Sequence, residues 1–241
     1  MNAETVIKAM QSLASEEKAL HLSRFFKTGS GEYGEGDLFL GIAVPDTRKV
    51  AKTYQELPLE EVEKLLQSPW HEIRLCGLMT LVLRCKKKKL PEELRKDFFE
   101  FYLKHTSACN NWDLVDLTCR EVVGRYLVDK ERSVLYRLAK SASLWEQRIA
   151  IVSTWEFIIR NDFSDTFNLA EYFISHPHDL IHKAVGWMLR EVGKRDREAL
   201  TDFLERHAAK LPRTTLRYAI EHYPESQRQA FLRIKKSKGE K

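Results

Sequence analysis

The fold is decided by residues 110–124, which read Asn110-Asn111-Trp112-Asp113-Leu114-Val115-Asp116-Leu117-Thr118-Cys119-Arg120-Glu121-Val122-Val123-Gly124. The leucines and valines recur at the spacing of one helix face, which predicts a helix with a buried apolar stripe. An asparagine can cap its start, and the glycine lies near its end. Trp112 and Asp116 are four residues apart, so the helix places the indole and the carboxylate one turn apart on the same face. We expect Asp113, about 90° or more around the helix, to take no part in a site on that face.

Four other segments share a form with this stretch, in which a proline or tryptophan entry and a basic residue precede an apolar helix. They are residues 69–74, 144–148, 179–183 and 212–217. Placed in register with the central stretch, they align Arg74, Asp116, Arg148, Lys183 and Arg217 at steps of 32 to 42 residues. This period is typical of stacked helical hairpins, which cannot bury their apolar faces singly.

These five aligned positions, called the predicted row below, lie side by side if the hairpins stack as a solenoid. The row is basic everywhere except at Asp116. We therefore expect one concave surface that is basic along its length and carries a single acid. Trp187 follows Lys183 by four residues, so this indole shares the face of the row, as Trp112 does, and is interpreted as a functional residue.

The rest of the chain reads as helix after helix. Pro45, Pro58 and Pro91 stand at helix starts, Ser15 can cap an N-terminal helix, and no segment alternates strictly enough to be a strand. The predicted fold is all-α, a superhelical solenoid of HEAT-like helical hairpins. Residues 1–241 are predicted to form a single repeat domain, with a glycine-rich loop at 27–41 and a basic C-terminal tail at 233–241.

Composition limits the function. With 241 residues, 43% of them hydrophobic, the chain can bury a real core. No stretch resembles a signal peptide or is long enough to cross a membrane, and the four cysteines contain no C-x-x-C pair, so we expect free buried thiols in the cytoplasm. The net charge of +5 is concentrated in residues 180–241, and this basic third indicates a polyanionic partner.

Two motifs suggest cofactors or metals, and both are interpreted against them. Gly29, Gly31 and Gly34 form a G-x-G-x-x-G, but a dinucleotide site needs a strand before it and a helix directly after it, and the loop is acidic. The histidines of residues 176–182 form H-x-H-x-x-x-H without an acid or cysteine spaced to complete a metal site, which favours a capping or surface role. The lysine run 86–89 is interpreted as a solvated loop. We expect neither a metal nor a cofactor.

Several separate motifs, in order, resemble the DNA alkylation repair (AlkD-like) glycosylases. The loop residues 27–37 with Phe39-Leu40-Gly41-Ile42 are similar to the N-terminal signature of that family, and Asn111–Asp116 is similar to its central motif. Arg148, with a tryptophan three residues before it, and residues 183–187 match its later helices. The resemblance covers residues 20–225. It implies HEAT-like repeats that cradle duplex DNA and an enzyme that hydrolyses the N-glycosidic bond of cationic alkylated purines such as 3-methyladenine and 7-methylguanine.

Carried onto this chain, the resemblance implies a catalytic set of Asp116, Trp112, Arg148 and Trp187. Asp116 would be the catalytic carboxylate. The residues predicted to contact DNA, some from the row and some from the resembling segments, are Arg74, Lys183, Arg190, Arg213, Arg217 and Tyr33.

The chemistry agrees with this assignment. A positively charged base leaves as a neutral molecule and needs no general acid, whereas the sugar cation that develops needs a carboxylate. The expected partner is duplex DNA containing alkylated purines, bound by a monomer. Two other functions stay open, a DNA-binding HEAT module without catalysis and a protein-binding scaffold.

Overall fold

A computed structural model describes residues 1–234 of the chain. The chain divides into two compact units, Met1–Tyr126 and Leu127–Lys241, here called unit 1 and unit 2. Of the predicted basic tail, residues 235–241 lie outside the described residues. The placement of residues 1–241 in a single domain and the common concave surface of the row stay predictions, since each unit is described by itself.

Unit 1 begins with six helices and ends in an irregular helical segment. Asn2 and Ser15 cap the first two helices with their side chains, as predicted for Ser15. The helices are α1 Ala3–Gln11, α2 Glu16–Phe25, α3 Val44–Thr53, α4 Leu59–Leu66, α5 His71–Cys85, α6 Glu92–Lys104 and α7 Trp112–Asp116.

Helix α5 forms the core of unit 1. Helix α5 carries apolar side chains on all of its faces and is buried over nearly its whole length. Helices α3 and α4 pack against it. The polar residues at its start, His71, Glu72 and Arg74, are buried too. A buried polar group requires partners, and those partners define the site described below.

Residues 110–124 were predicted to form one regular helix. They are helical, but the helix is interrupted. Helix α7 ends at Asp116, and a π-helical segment, Arg120–Gly124, follows a turn. The hydroxyl of Thr118 donates to the carbonyl of Leu114, and Tyr102 bonds the same hydroxyl at 2.8 Å. A threonine hydroxyl that occupies a backbone carbonyl competes with the regular ladder of the helix, and the helix widens at this point.

Unit 2 is organised around the long helix α12. Its helices are α8 Ser133–Ala139, α9 Leu144–Ser153, α10 Trp155–Ile158, α11 Ser164–Tyr172, α12 Asp179–Arg195, α13 Arg197–His207, α14 Arg213–Ala219 and α15 Glu225–Arg233. Helices α9, α11, α13 and α14 pack on α12. The approach of α14 requires Gly186, where an added Cβ would lie 2.5 Å from Cβ of Tyr218.

The predicted all-α class built from helical repeats is confirmed. Within residues 1–234 the only extended pairing is one isolated bridge between Leu38 and Trp70. The glycine-rich loop lies between α2 and α3, and the lysine run 86–89 is a loop between α5 and α6, as predicted. In the described part of the chain, no helix is both long and apolar enough to span a membrane.

The four cysteines are free and buried, as predicted. Burial raises the pKa of the thiols of Cys76, Cys85 and Cys109 to about 12. Because the thiolate is the reactive form, these residues act as small core side chains.

Candidate functional site

Trp112 and Asp116 lie together on a cavity of unit 1. The cavity has a volume of about 330 Å³, and α2, α3, α5, α7 and the loop after α2 line it. We call it the aromatic cavity, because Phe25, Phe26 and Phe39 form much of its wall. The predicted pairing of indole and carboxylate on one helix face is confirmed, and Asp116 is partly exposed.

Stacked rings fix the indole of Trp112. It stacks on Phe26 with ring centroids 5.1 Å apart, and Phe26 stacks on Phe39 at the same distance. Phe39 in turn stacks on the imidazole of His71 at 4.5 Å. Phe25, 55% exposed, meets the edge of Trp112 at 5.8 Å. Such ring pairs contribute about 0.5–1.5 kcal/mol each beyond burial of their area, so they hold the indole in place within unit 1.

The glycine-rich loop places Phe26 against the start of α7. Asn111 caps α7 by accepting from the backbone N–H of Trp112 at 2.9 Å, and its amide donates to the carbonyl of Phe26 at 3.3 Å. A Cβ on Gly34 would lie 2.5 Å from that same carbonyl oxygen. This glycine therefore serves a close approach of two backbone segments, and within the described residues no strand precedes the loop as a dinucleotide site requires.

Glu72 holds the end of the same loop. Its carboxylate accepts from the backbone N–H groups of Leu40, Gly41 and Ile42 at 2.8–3.1 Å. Gly41 has φ +82°, and an added Cβ would lie 2.1 Å from the carbonyl oxygen of Ser15. The loop signature is thus explained by anchoring of the chain between α2 and α3.

A buried charge network adjoins the aromatic cavity, and two of its members, His71 and Asp113, line that cavity. The Nδ1 atom of His71 is 2.8 Å from Oδ2 of Asp37, and Nε2 of His71 is 2.9 Å from Oδ2 of Asp113. Arg74 donates to the other oxygen of Asp37 at 2.5 Å. The network contains two acids and two bases, so a protonated His71 makes it neutral.

Opposing effects set the pKa values of this network. Burial alone would lower the pKa of His71, but the hydrogen bonds and charges of Asp113 and Asp37 outweigh burial and raise the pKa to about 9. Burial alone would raise the pKa of Asp37, and the hydrogen bond from His71 together with the charge of Arg74 lowers it. His71 is therefore an imidazolium at neutral pH and donates from both ring nitrogens.

The stability of the protein should consequently fall between about pH 6.5 and pH 9. A raised folded-state pKa gives stability that is complete below the unfolded value of 6.5 and is lost as pH rises through about 9. The loss is on the order of 3 kcal/mol in total. The measurement is the free energy of unfolding against pH for the wild type and for His71→Gln. Asp37, Arg74, Glu72, Asp113 and Asp116 surround the ring or its cavity in both proteins.

The difference between the two proteins isolates His71, because the other titrating groups are common to both. We expect this difference to shrink steadily across that pH window. A difference that stays constant from pH 6 to pH 10 would contradict a protonated His71 in the folded state.

Sequence reasoning missed this network. Asp113 was expected to take no part in the site, and this expectation is wrong, because Asp113 is buried and bonded to His71. The available signals were weak, namely a lone aspartate within the glycine-rich loop and a histidine at a helix start. No periodic spacing connects residues 37, 71 and 113.

Arg74 was predicted to contact DNA, and its environment does not support that role. It is only 5% exposed. Its guanidinium donates to carbonyl or carboxylate groups of Asp37, Ser68 and Ala108 and to the amide of Asn110. Arg74 therefore fixes the loop before α7, and its guanidinium is engaged within the protein.

The last three members of the row lie in unit 2 on helices that pack in succession. Arg148 on α9 is 5% exposed and donates to the carbonyl of Leu180, on α12, at 2.6 Å. Lys183 on α12 is partly exposed and pairs with Asp179 at 2.7 Å. Arg217 on α14 is exposed. Exposure thus increases from α9 to α14, which favours Lys183 and Arg217 over Arg148 for contact with a phosphate.

The remaining predicted residues are partly exposed. Trp187 meets the edge of Trp155 at 5.1 Å and donates to Glu191 at 3.2 Å. Arg190 forms an ion pair with a glutamate of unit 2, and Arg213 donates to a backbone carbonyl at 2.9 Å. Tyr33 lies in the glycine-rich loop of unit 1.

The histidines of residues 176–182 cap and brace the start of α12. His178 is the N-cap and accepts from the N–H of Leu180 at 3.1 Å, while His176 accepts from the N–H of His178 at 3.0 Å. Burial lowers the pKa of both imidazoles. The predicted capping role is confirmed. Among residues 1–234, no three histidine, cysteine, aspartate or glutamate side chains are grouped so that they could hold a metal ion.

The structure thus defines a helical-repeat protein that carries a carboxylate and an indole on a cavity of unit 1. The family model of the DNA alkylation repair enzymes matches residues 6–223. The chain belongs to this family, and membership implies that it binds DNA.

A solved structure agrees in fold. It is a predicted DNA alkylation repair enzyme from Enterococcus faecalis, with a TM-score of 0.67 and 17% sequence identity over 88% of this chain and 97% of that chain. No curated protein sequence is significantly similar to this chain.

Proposed function

We propose that this chain is a monofunctional DNA glycosylase that hydrolyses the N-glycosidic bond of cationic alkylated purines in duplex DNA and leaves an abasic site. The observation that carries the proposal is the partly exposed carboxylate of Asp116 on the aromatic cavity, beside the fixed indole of Trp112. The enzyme acts as a monomer without a metal or a cofactor. 3-Methyladenine and 7-methylguanine are the proposed substrates.

The reaction needs one negative charge at the sugar. Alkylation at a ring nitrogen already gives the purine a positive charge, so the base departs with the bonding electron pair as a neutral molecule. Positive charge then develops on the sugar, and water adds to the carbon that the base has left and releases a proton. A carboxylate fixed in surroundings of low polarity stabilises that cation and can orient the water.

Trp112 binds the cationic base before the bond breaks. An indole face attracts a cationic ring by about 0.5–2 kcal/mol, depending on how well water is excluded. The stack on Phe26 and Phe39 holds the ring in one orientation, so little side-chain entropy is lost when the substrate binds.

Unit 2 supplies proposed contacts to DNA and the other two proposed catalytic residues. Lys183 and Arg217 are proposed to bind phosphates, and Arg190, Arg213 and, from unit 1, Tyr33 complete the proposed DNA contacts. Arg148 and Trp187 keep the catalytic role that the family resemblance implies for them. The guanidinium of Arg217 can bind phosphate oxygens through two parallel hydrogen bonds.

Release of free base from methylated duplex DNA tests the proposal. We expect chromatography to detect free 7-methylguanine and alkali to cleave the strand at the resulting abasic site, with no release from an unmodified duplex of the same sequence. Binding without release would contradict catalysis and identify a DNA-binding module.

The salt dependence of binding separates a DNA protein from a protein-binding scaffold. Neutralised phosphates release counterions, so the affinity for duplex DNA should fall steeply as salt rises. An affinity independent of salt would contradict DNA as the partner.

A further inference from the structure

Helix α7 carries both Trp112 and Asp116, yet it has only five residues. A helix of this length is not stable by its own hydrogen bonds. The direction of the Asp116 carboxylate therefore depends on what holds α7 to the rest of unit 1.

Two polar contacts hold the first turn of α7. One joins the cap residue Asn111 to the carbonyl of Phe26 at 3.3 Å, where α2 ends. The other joins Asp113 to Nε2 of His71 at 2.9 Å. The first contact leads to α2, none of whose residues is buried, and the second leads to α5, which is buried over most of its length. Leu114 and Val115 of α7 are buried as well, and the contact through His71 is a buried polar contact that joins the first turn of α7 to α5.

His71 can hold α7 because its own position is fixed on the opposite side. Its Nδ1 atom bonds Asp37 at 2.8 Å, and Phe39 stacks on its ring at 4.5 Å. Arg74 in turn bonds the second oxygen of Asp37. The ring therefore cannot turn without breaking a buried hydrogen bond, which costs about 1–3 kcal/mol or more for a charged group.

We propose that His71 is a positioning residue, which acts through Asp113 on α7 to hold Asp116 at the orientation that the reaction needs. The inference rests on the proposed glycosylase function. In this role His71 acts through its hydrogen bond to Asp113. The competing explanation is that the network only stabilises the fold.

Two isosteric variants distinguish these explanations. The amide nitrogen of asparagine occupies nearly the place of Nδ1 of histidine, so His71→Asn keeps a donor for Asp37 and loses the donor for Asp113. The amide nitrogen of glutamine occupies nearly the place of Nε2, so His71→Gln keeps the donor for Asp113 and loses the one for Asp37. Both variants remove the positive charge of His71. If the network only stabilises the fold, the two variants should change the excision rate by similar factors.

We expect His71→Asn to slow single-turnover excision of 7-methylguanine at saturating enzyme by about 10-fold or more, since a displacement near 1 Å can cost up to ~100-fold. His71→Gln should slow excision less, and its fold-reduction in rate should be below a third of that measured for His71→Asn. The dissociation constant for the duplex should change by less than about 2-fold in either variant, because no phosphate contact is lost. Equal rate losses in the two variants, or no loss in either, would overturn the proposal.

His105 provides a matched control. It is a histidine of unit 1 that, unlike the fully buried His71, is partly buried; it bonds the carboxylate of Glu63 at 2.9 Å and the carbonyl of Phe101, and neither partner belongs to α7. We expect His105→Asn to leave the excision rate unchanged. A loss equal to that of His71→Asn would show that any buried histidine–carboxylate pair has the same effect and would overturn the proposal.

A spectroscopic measurement tests positioning without relying on catalysis. The fluorine resonance of Trp112, in protein labelled with 5-fluorotryptophan and assigned by Trp112→Phe, reports the position of α7. We expect it to shift or broaden in His71→Asn and to stay close to the wild-type position in His71→Gln. This pattern without base release would disprove the glycosylase proposal alone, whereas an unchanged resonance in folded His71→Asn would disprove the positioning proposal.

Discussion

Asp116→Asn should slow the excision of 7-methylguanine by about 100-fold or more, because removal of one fixed charge that faces the developing cation costs ~3–4 kcal/mol. Asparagine keeps the shape and most of the hydrogen bonding of the side chain, so the loss reports charge. The measurement is the single-turnover rate with enzyme in saturating excess, which separates chemistry from binding and product release.

The affinity of Asp116→Asn for duplex DNA is the second quantity to measure. The affinity of Asp116→Asn should hold or rise, because a negative charge is removed from the surface proposed to bind DNA phosphates. If Asp116 served only as a structural ion-pair partner, its replacement would lower thermal stability and weaken binding with little specific effect on rate. Asp97→Asn, which changes an exposed carboxylate of α6, serves as the control and should leave rate and affinity unchanged. A normal excision rate in Asp116→Asn would disprove the catalytic assignment.

The sequence predicted the parts of this fold that local interactions determine. Ser15 caps α2 and Pro45 lies in the first turn of α3, since capping and the fixed φ of proline act within one turn. The pairing of Trp112 with Asp116 was predictable for the same reason, because four residues span one helical turn. The cavity beside them was not, because it depends on the distant residues Phe26 and Phe39.

Arg74 shows where sequence alignment fails. Its place in the predicted row follows from the repeat, but its burial follows from Asp37, a residue of the irregular loop that no repeat contains. A basic residue in a repeat can bind an external phosphate or an internal carboxylate, and composition does not distinguish them. The same limit hid His71, whose two carboxylate partners are 34 and 42 residues away.

The internal network leads to the second large effect, a loss of stability in Asp37→Ala. The side chain of Asp37 is completely buried, at 2.8 Å from Nδ1 of His71 and 2.5 Å from Arg74. Its removal leaves two buried cationic groups without this shared partner. Breaking a buried ion pair by deleting one member typically costs about 3–5 kcal/mol, and we expect a loss of that size in the free energy of unfolding measured in urea at pH 6.

The pH dependence and a matched variant make this prediction specific. At pH 10 the loss should be smaller, because His71, with its pKa near 9 in the wild type, can give up its proton while Arg74 cannot. Asp46→Ala removes an exposed aspartate that pairs with Lys49 at 2.8 Å, and it should change stability little, because exposed pairs are screened by water. Equal effects of Asp37→Ala and Asp46→Ala, or a loss that does not change between pH 6 and pH 10, would show that the buried carboxylate does not hold a protonated His71 in place.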